Sequence, residues 1–327
     1  MRFVSAASRA SAAALALVAA LAATSIVGCA KVGQIKAKKA FKEANQAYQQ
    51  QDYKKSATLY AETVEADPEL ASAYFYLGNS YDNLWKPSKK GDADNDALLQ
   101  KAVQNYQTAA EKLSASENPK DRELAKLSLQ YLVSAYGQDK LNDPARAEPV
   151  LQKMIKQEPG EPSNYFALAK LYEDAGLYEP AEIVLLKAKE AKPSDSAVYL
   201  QLAGYYNRQG HFDKTIQALE DRAAKEPTNP EAYYTISTYY WDEAYRDSRL
   251  KESEKKDYIN KGMQAVDHAL QIKPDYVEAL VYKNLLLRLE ANMEKDVNKQ
   301  HDLIKEADRL RDKAQELRKQ KTAGVGN

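Results

Sequence analysis

Cysteine and histidine are scarce in this 327-residue sequence. It contains one cysteine and three separated histidines, His211, His268 and His301. A single cysteine excludes an internal disulfide framework and a cysteine-rich metal site. Three dispersed histidines argue against imidazole catalysis and against a zinc site. A basic excess is also lacking, because 47 Lys and Arg balance 47 Asp and Glu, and this argues against a nucleic-acid partner.

Motifs that carry chemistry are missing as well. The sequence has no P-loop, GxGxxG, GxSxG or HExxH motif. Asp92, Asp94 and Asp96 have the spacing of the start of a calcium loop, but the sixth position is Ala97 instead of glycine and the twelfth is Val103 instead of glutamate. We therefore predict no catalytic residue, no cofactor and no metal site, and we expect a non-enzymatic protein.

The composition favours helices, with one unusual feature. Only 12 Gly and 12 Pro accompany 29% charged residues, which is typical of an all-α protein. Tyrosine is overrepresented, with 23 residues against five Phe and two Trp. This excess requires a structural cause.

The first thirty residues have the composition of an export signal. Arg2 and Arg9 are the only charged residues before Lys31, and an apolar, alanine-rich stretch separates them from Cys29. That stretch ends in Ser25-Ile26-Val27-Gly28-Cys29, with an aliphatic residue three positions before the cysteine and a small residue directly before it. The arrangement resembles the lipobox of bacterial lipoproteins. In that family the thiol receives a diacylglyceryl group, the peptide is cut before the cysteine, and the new amine is acylated.

This resemblance implies that residues 1–28 are a removed signal peptide, that Cys29 is lipidated, and that 29–37 tether the protein to a bilayer. Ala30, not aspartate, follows the cysteine. The inner-membrane retention signal of some Gram-negative bacteria is therefore absent, and the analogy favours the outer membrane, facing the periplasm. Two alternatives stay open. One is ordinary cleavage near Ala22-Ala23, giving a secreted protein, and the other is an uncleaved membrane helix of about 18 apolar residues.

The rest of the sequence repeats itself at an interval of 34 residues. The residues Leu168, Ala169, Tyr172, Gly176, Leu185 and Pro193 recur as Leu202, Ala203, Tyr206, Gly210, Leu219 and Pro227. This pattern resembles the tetratricopeptide repeat (TPR), a helix-turn-helix unit of that period. In such a unit the small residue allows close helix approach, the tyrosine fills the space between the helices, glycine permits the turn, and proline ends the second helix.

The TPR resemblance implies an all-α fold, a right-handed α-solenoid of about seven repeats with a C-terminal capping helix. We place the solenoid at 38–321 and a disordered tail at 322–327. The predicted repeats are 38–69, 70–119, 125–160, 162–195, 196–229, 230–275 and 276–321. The capping helix carries an apolar stripe of Leu303, Ala307, Leu310, Ala314 and Leu317. Thirteen tyrosines fall on repeat-core positions, namely 53, 60, 74, 81, 106, 136, 165, 172, 178, 199, 206, 233 and 240.

Two repeats carry insertions between their helices. The first, 83–96, is polar and contains Pro87 and Gly91, and we interpret it as a loop. The second, 242–257, is highly charged, and we expect it to extend the flanking helices.

The resemblance also implies a binding surface, because one side of each first helix lines the groove of a TPR domain. Carried over to this chain, the groove would hold Phe41, Asn45, Tyr48, Phe75, Asn79, Phe166, Lys170, Asn207, Arg208, Tyr234 and Trp241. Aromatic side chains here lie outside the repeat core and are expected to be exposed as anchors for a peptide or a partner helix. Phe41 and Phe75 replace the lysine of the dicarboxylate-clamp subclass, which favours an apolar ligand. The alternative is that these rings only fill a tight superhelix.

The sequence therefore predicts a lipid-anchored scaffold that binds a protein or peptide partner, in an envelope assembly or secretion complex. It would contact the bilayer through acylated Cys29 and bind neither nucleic acid nor metal. There are two alternatives: a secreted TPR protein without the lipid, and a helical-repeat envelope enzyme.

Overall fold

A computed structural model describes residues 33–324, and these residues form α-helices and one short 3₁₀ turn, without a β-strand. The all-α prediction is confirmed. The helices are α1 (33–49), α2 (Tyr53–Ala66), α3 (Ala71–Leu84), α4 (Ala93–Leu113), α5 (Pro119–Tyr136), α6 (Pro144–Gln157), α7 (Pro162–Asp174), α8 (Tyr178–Ala191), α9 (Ser196–Arg208), α10 (Phe212–Lys225), α11 (Pro230–Arg246), α12 (Glu252–Ile272), α13 (Val277–Met293) and α14 (Val297–Gly324).

Both predicted ends of the solenoid need correction. Helix α1 begins at residue 33 and Ala37 is fully buried, so the second half of the predicted tether 29–37 is helical. Helix α14 continues to Gly324, so the predicted disordered tail 322–327 starts too early. The signal peptide 1–28, Cys29 and residues 325–327 lie outside the described residues.

The chain divides into two compact units, Met1–Glu158 and Pro159–Asn327, here called the N-terminal and C-terminal units. In the N-terminal unit, consecutive helices pair as α1–α2, α3–α4 and α5–α6. In the C-terminal unit they pair as α7–α8, α9–α10, α11–α12 and α13–α14. These helical hairpins are consistent with the predicted number of repeats.

A left-handed residue makes the tight turn inside four of the hairpins. Gly176 and Gly210 have φ angles of 73° and 72°, and Gln51 and Asn142 occupy the same region at 59° and 51°. In the turns at Gln51, Gly176 and Gly210, the next backbone N–H donates to the carbonyl oxygen five residues before it, for example Leu177 N to Tyr172 O at 2.8 Å. Glycine adopts this conformation without strain, which explains its recurrence at a 34-residue interval.

Tyrosine rings fill the space between paired helices. Tyr60, Tyr106, Tyr136 and Tyr199 are among the largest fully buried side chains, in agreement with their predicted core positions. The prediction is wrong for Tyr178, which is 48% exposed at the start of α8. Eight of the 23 tyrosines are buried, so part of the tyrosine excess forms the core of the helical hairpins.

The two insertions differ as expected. Residues 83–96 contain the end of α3, a 3₁₀ turn at Pro87–Lys89 and the start of α4, and Asn95 binds this loop through the backbone of Lys86 and Lys89. In 242–257, α11 extends to Arg246 and α12 begins at Glu252, so most of this insertion is helical. The capping-helix prediction is also confirmed, because the predicted stripe of α14 packs on α13.

Candidate functional site

A cleft of about 670 Å³ lies in the N-terminal unit, on the side formed by the first helix of each hairpin. We call it the α1/α3/α5 cleft. Its walls come from α1, α3 and the start of α5, and it is lined by Phe41, Asn45, Tyr48, Gln49, Ser72, Tyr76, Asn118, Lys120, Asp121, Glu123 and Leu124. The structure thus brings together three of the predicted groove residues, Phe41, Asn45 and Tyr48.

Aromatic rings form the apolar part of this cleft. Tyr76 stacks on Tyr60 with ring centres 5.7 Å apart, and Phe41 and Tyr48 meet Tyr76 edge to face at 6.4 and 5.5 Å. Such contacts stabilise an aromatic cluster beyond the burial of its area. Phe41, Tyr48 and Tyr76 remain only partly buried, so one side of the cluster is available to a ligand.

A chain of amide and hydroxyl groups holds the aromatic rings in position. Tyr48 Oη donates to Asn79 Oδ1 at 2.7 Å, and Asn79 Nδ2 donates to Tyr106 Oη at 3.3 Å. Asn83 Nδ2 donates to Asn79 Oδ1 at 2.8 Å. Because these partners are neutral and mostly buried, the network fixes ring orientation without placing a charge in the cleft.

The network continues to an ion pair in the same unit. Tyr106 Oη lies 3.5 Å from Asp82 Oδ2, and the other oxygen of Asp82 accepts from Lys140 Nζ at 2.6 Å. Asp82 is a largely buried carboxylate, and Lys140 supplies the charge that permits its burial. Lys140 thereby connects the loop after α5 to α3.

Phe75 and Asn79 are buried, contrary to the exposure predicted for groove residues. Phe75 is 5% exposed and packs on Tyr106 and Tyr131, which belong to α4 and α5. Asn79 is 3% exposed. Helix α3 is covered by the following hairpin on this side, so these two residues support the wall of the cleft and do not line it.

Burial raises the pKa values of the tyrosines around the cleft. The pKa of Tyr48 rises to about 12, first because burial penalises the phenolate and then because Tyr131, Tyr53 and Tyr76 lie nearby. Burial also raises the pKa of Tyr60, and burial with the neighbouring Asp82 raises that of Tyr106. These hydroxyls are therefore neutral hydrogen-bond donors across the physiological range.

Two of the predicted groove residues of the C-terminal unit, Lys170 and Arg208, form ion pairs. Arg208 binds Glu173 through two hydrogen bonds of 2.7 and 2.9 Å, which joins α9 to α7. Lys170 pairs with Asp174 one turn later on α7, and Asn207 is exposed beside Arg208. Hydrogen bonding from Arg208 lowers the pKa of Glu173. This surface is charged, whereas the α1 and α3 walls of the α1/α3/α5 cleft are aromatic.

The three aromatic residues predicted in this unit are partly buried. Tyr234 contacts Tyr276 and Tyr282 edge to face, both at 5.4 Å, and burial raises its pKa to about 12. Trp241 stacks on Tyr245 with ring centres 5.1 Å apart, and Tyr245 is 61% exposed. Phe166 lies on α7 and is partly buried. None of the three lines the α1/α3/α5 cleft.

The part of the cleft contributed by α5 was not predicted from the sequence. The third repeat was predicted to begin at residue 125, whereas α5 begins at Pro119 and its extra turn brings Lys120 and Leu124 to the cleft. Asn118 followed by Pro119 was the available signal, because an N-cap residue followed by proline at N1 is typical of a helix start. Tyr76 was missed because the 34-residue interval pointed to its neighbour Phe75.

Comparisons with known proteins support the fold. Residues 140–204 match the tetratricopeptide repeat family. The C-terminal part of a TPR repeat-containing protein from Cytophaga hutchinsonii is 15% identical, with a TM-score of 0.52 over 85% of this chain and 98% of that chain. This likeness shows that the chain has the helical solenoid fold of TPR proteins.

Two other solved structures resemble the chain more weakly. A tetratricopeptide repeat protein from Parabacteroides merdae is 13% identical, with a TM-score of 0.42 over 83% of this chain and 98% of that chain. The protein MamA is 19% identical, with a TM-score of 0.39 over 64% of this chain and 99% of that chain. Among the curated proteins that were compared, none matches the sequence.

The described part of the chain has neither a candidate membrane span nor a candidate metal site. Within residues 33–324, no helix is long and apolar enough to cross a membrane. No group of three or more His, Cys, Asp or Glu side chains in these residues has the arrangement of a metal site.

Proposed function

We propose that this chain is a non-enzymatic interaction scaffold whose α1/α3/α5 cleft binds an extended peptide segment of a partner protein. The observation that carries the proposal is the open aromatic cleft itself, which is lined by the rings of Phe41, Tyr48 and Tyr76 and by the amides of Asn45 and Gln49. Fixed aromatic side chains bind apolar residues at little cost in side-chain entropy.

The amides supply the polar part of the recognition. Asn45 Oδ1 accepts from Tyr60 Oη at 2.6 Å, which orients the amide. Among the described residues, the Nδ2 group of Asn45 has no hydrogen-bond acceptor. The side chain of Gln49 has no hydrogen-bond partner there either. Both amides line the cleft, so each can bind a peptide carbonyl or N–H group. An extended segment presents such backbone groups at regular intervals and would place its side chains on the aromatic rings.

Peptide binding can be tested by blocking the cleft without removing its packing. Gln49 is exposed and lines the cleft, so Gln49→Trp fills the space while leaving the aromatic cluster intact. Gln104 on α4 is also exposed but lies outside the cleft, and Gln104→Trp is the matched control. Peptides selected on the wild-type protein from a random library should bind Gln104→Trp unchanged and Gln49→Trp at least about tenfold more weakly. Equal binding to both variants would refute the cleft as the site.

We further propose that Cys29 carries acyl chains that anchor the scaffold to the outer membrane, facing the periplasm, as part of an envelope assembly or secretion complex. The support is the sequence Ile26-Val27-Gly28-Cys29 after an apolar stretch, together with the start of α1 four residues beyond the cysteine. Several acyl chains bind a bilayer effectively permanently, at roughly 0.8 kcal/mol for each buried methylene. A secreted protein with an unmodified cysteine is the alternative.

Metabolic labelling with a clickable fatty acid tests the anchor. Label should appear on the wild-type protein and disappear in Cys29→Ser. A wild-type protein without label would favour the secreted alternative. Separation of inner and outer membranes on a density gradient then tests the proposed location.

A further inference from the structure

A second and larger cleft, of about 720 Å³, lies in the C-terminal unit on the side formed by the second helices of two hairpins. We call it the α10/α12 cleft. Its walls are α10 and α12, and its floor is α11, which contributes Ile236 and Tyr240. This cleft contains none of the residues assigned to peptide binding above.

In the same unit, the neighbouring groove between α8 and α10 is bridged by ion pairs. Lys214 of α10 binds Glu182 of α8 at 2.8 Å, and Lys189 of α8 binds Asp221 of α10 at 2.7 Å. These two ion pairs bridge successive second helices. No ion pair joins α10 to α12 in the described structure, although charged residues line both walls.

Two carboxylates on the α10 wall have no cation. Among residues 33–324, neither Asp213 nor Glu220 has an ion-pair or hydrogen-bond partner, and both line the cleft. Lys261, which lines the opposite wall, is already bound to Asp257 at 2.8 Å on its own helix. Within residues 33–324, no ion pair therefore neutralises the two carboxylates of the α10 wall.

Aromatic rings lie at the two ends of the cleft. At one end Phe212 contacts Tyr258 at 5.0 Å and Tyr240 at 5.6 Å. At the other end Tyr233 stacks on His268 with ring centres 3.8 Å apart. Rings of this kind accept the stems of lysine and arginine and attract their charged ends. Together with the two carboxylates they point to a cationic ligand.

The geometry of the walls selects a helical ligand. Asp213 and Glu220 are seven residues apart on α10, which places them two turns or about 10 Å apart along one edge of the cleft. A helix lying between α10 and α12 would meet them with side chains at positions i and i+7. Because a helix satisfies its own backbone hydrogen bonds, it can lie on the apolar side chains of Ile216 on the α10 wall and of Ile236 and Tyr240 on the floor. An extended segment would leave backbone groups without partners there.

We propose that the α10/α12 cleft binds a basic amphipathic helix of a partner protein, with two Lys or Arg residues two turns apart facing Asp213 and Glu220 and an apolar face on α11. This second binding surface is independent of the α1/α3/α5 cleft. The chain would then join two partner segments, one on each unit.

The test uses two 14-residue stapled helices that share an apolar face and carry either lysine or glutamate at i and i+7. Fluorescence anisotropy with the full chain should show binding of the lysine helix, with affinity falling as salt rises, and at least about tenfold weaker binding of the glutamate helix. The double variant Asp213→Asn, Glu220→Gln should weaken the lysine helix about tenfold or more. Equal affinity for both helices would overturn the proposal.

Matched controls separate a site from general charge attraction. Glu179→Gln with Glu190→Gln removes the same charge from exposed positions of α8 that do not line the cleft, and it should leave binding unchanged. An equal loss in this control would overturn the proposal. So would self-association of the protein that the Asp213→Asn, Glu220→Gln variant abolishes, because the occupant would then be a second copy. Gln49→Trp should not affect the lysine helix, which keeps this test separate from that of the proposed function.

Discussion

The same repeat position has opposite chemistry in the two units. Asn45 and Asn79 in the N-terminal unit, and Lys170 in the C-terminal unit, follow the small residue of their first helices directly. Asn79 is buried in a network of neutral tyrosine and amide groups, whereas Lys170 is exposed in an ion pair. The helical hairpin is compatible with both, although this position can also bind within its own hairpin, as Asn45 binds Tyr60 and Asn79 binds Tyr106. What it contributes to the surface depends on the neighbouring hairpin.

The two tryptophans allow this comparison to be measured unit by unit. Trp85 is buried in the N-terminal unit, and Trp241 is partly buried in the C-terminal unit. The chain has no other tryptophan. Trp241→Phe therefore leaves a fluorescent reporter of the first unit, and Trp85→Phe leaves a reporter of the second. The predictions below are made in these two backgrounds with denaturant unfolding as the readout.

The largest loss of stability is expected from a substitution where α3 and α4 approach each other closely. A Cβ atom added at Gly78 would lie 3.0 Å from the ring of Tyr106 and 3.1 Å from the carbonyl oxygen of Ala102. Gly78→Leu should lower the free energy of unfolding of the N-terminal unit by about 3 kcal/mol, because the buried ring cannot move away. Gly204→Leu is the control, since a Cβ atom there meets only the flexible end of Arg208 at 3.3 Å. A loss of similar size in the control would contradict the packing argument.

The next effect distinguishes the buried amide from the exposed ion pair. Asn79→Ala removes the acceptor for Tyr48 and the donor to Tyr106, and it should destabilise the N-terminal unit by about 2 kcal/mol. Lys170→Ala removes an exposed pair between consecutive turns, so the C-terminal unit should change by less than about 0.5 kcal/mol. If the two variants lowered the free energy of unfolding equally, the proposed difference between the buried amide and the exposed ion pair would be wrong.

Alkaline pH should weaken the N-terminal unit through Tyr48. Its pKa is about 12 in the folded protein against an ordinary value of 10.0, so the fold favours the neutral hydroxyl. The stabilisation is complete below pH 10 and is lost as pH rises through about 12. Tyr48→Phe should therefore show a smaller fall in stability between pH 10 and 12 than the wild type, measured with the Trp85 reporter. An unchanged slope would show that Tyr48 does not couple to folding.

The smallest effect is expected at acid pH in the C-terminal unit. Hydrogen bonding from Arg208 lowers the pKa of Glu173 in the folded protein. The Glu173 carboxylate therefore stabilises the fold above the ordinary pKa of a glutamate, and this stabilisation is lost as pH falls. Glu173→Gln should cost a few tenths of a kcal/mol at pH 7 and less at pH 3, followed with the Trp241 reporter. Asn207→Ala, an exposed neighbour of Arg208, should show no such pH dependence.

Helix positions were predictable because the repeat signals are local. Gly176, Gly210, Pro193 and Pro227 determine where helices turn or end, and they act within a few residues of their own position. The buried tyrosines Tyr60 and Tyr106 follow from the same spacing. Exposure was less predictable, as Phe75 shows, because it depends on the ring of Tyr131 from the next hairpin. A one-residue error between Phe75 and Tyr76 was enough to point to the wrong side of α3.

The sequence by itself determined the helices, their pairing into hairpins and the turns between them, since these depend on contacts within about 34 residues. Only the tertiary structure decided which surfaces stay open. Asn79 became a support of the cleft because Tyr48 and Tyr106 approach it from two other helices. Likewise, among residues 33–324 Asp213 and Glu220 have no ion-pair partner, while Asp221 on the same helix has Lys189. Tyr48 and Lys189 come from hairpins other than those of Asn79 and Asp221, and their meeting depends on how one hairpin stacks on the next.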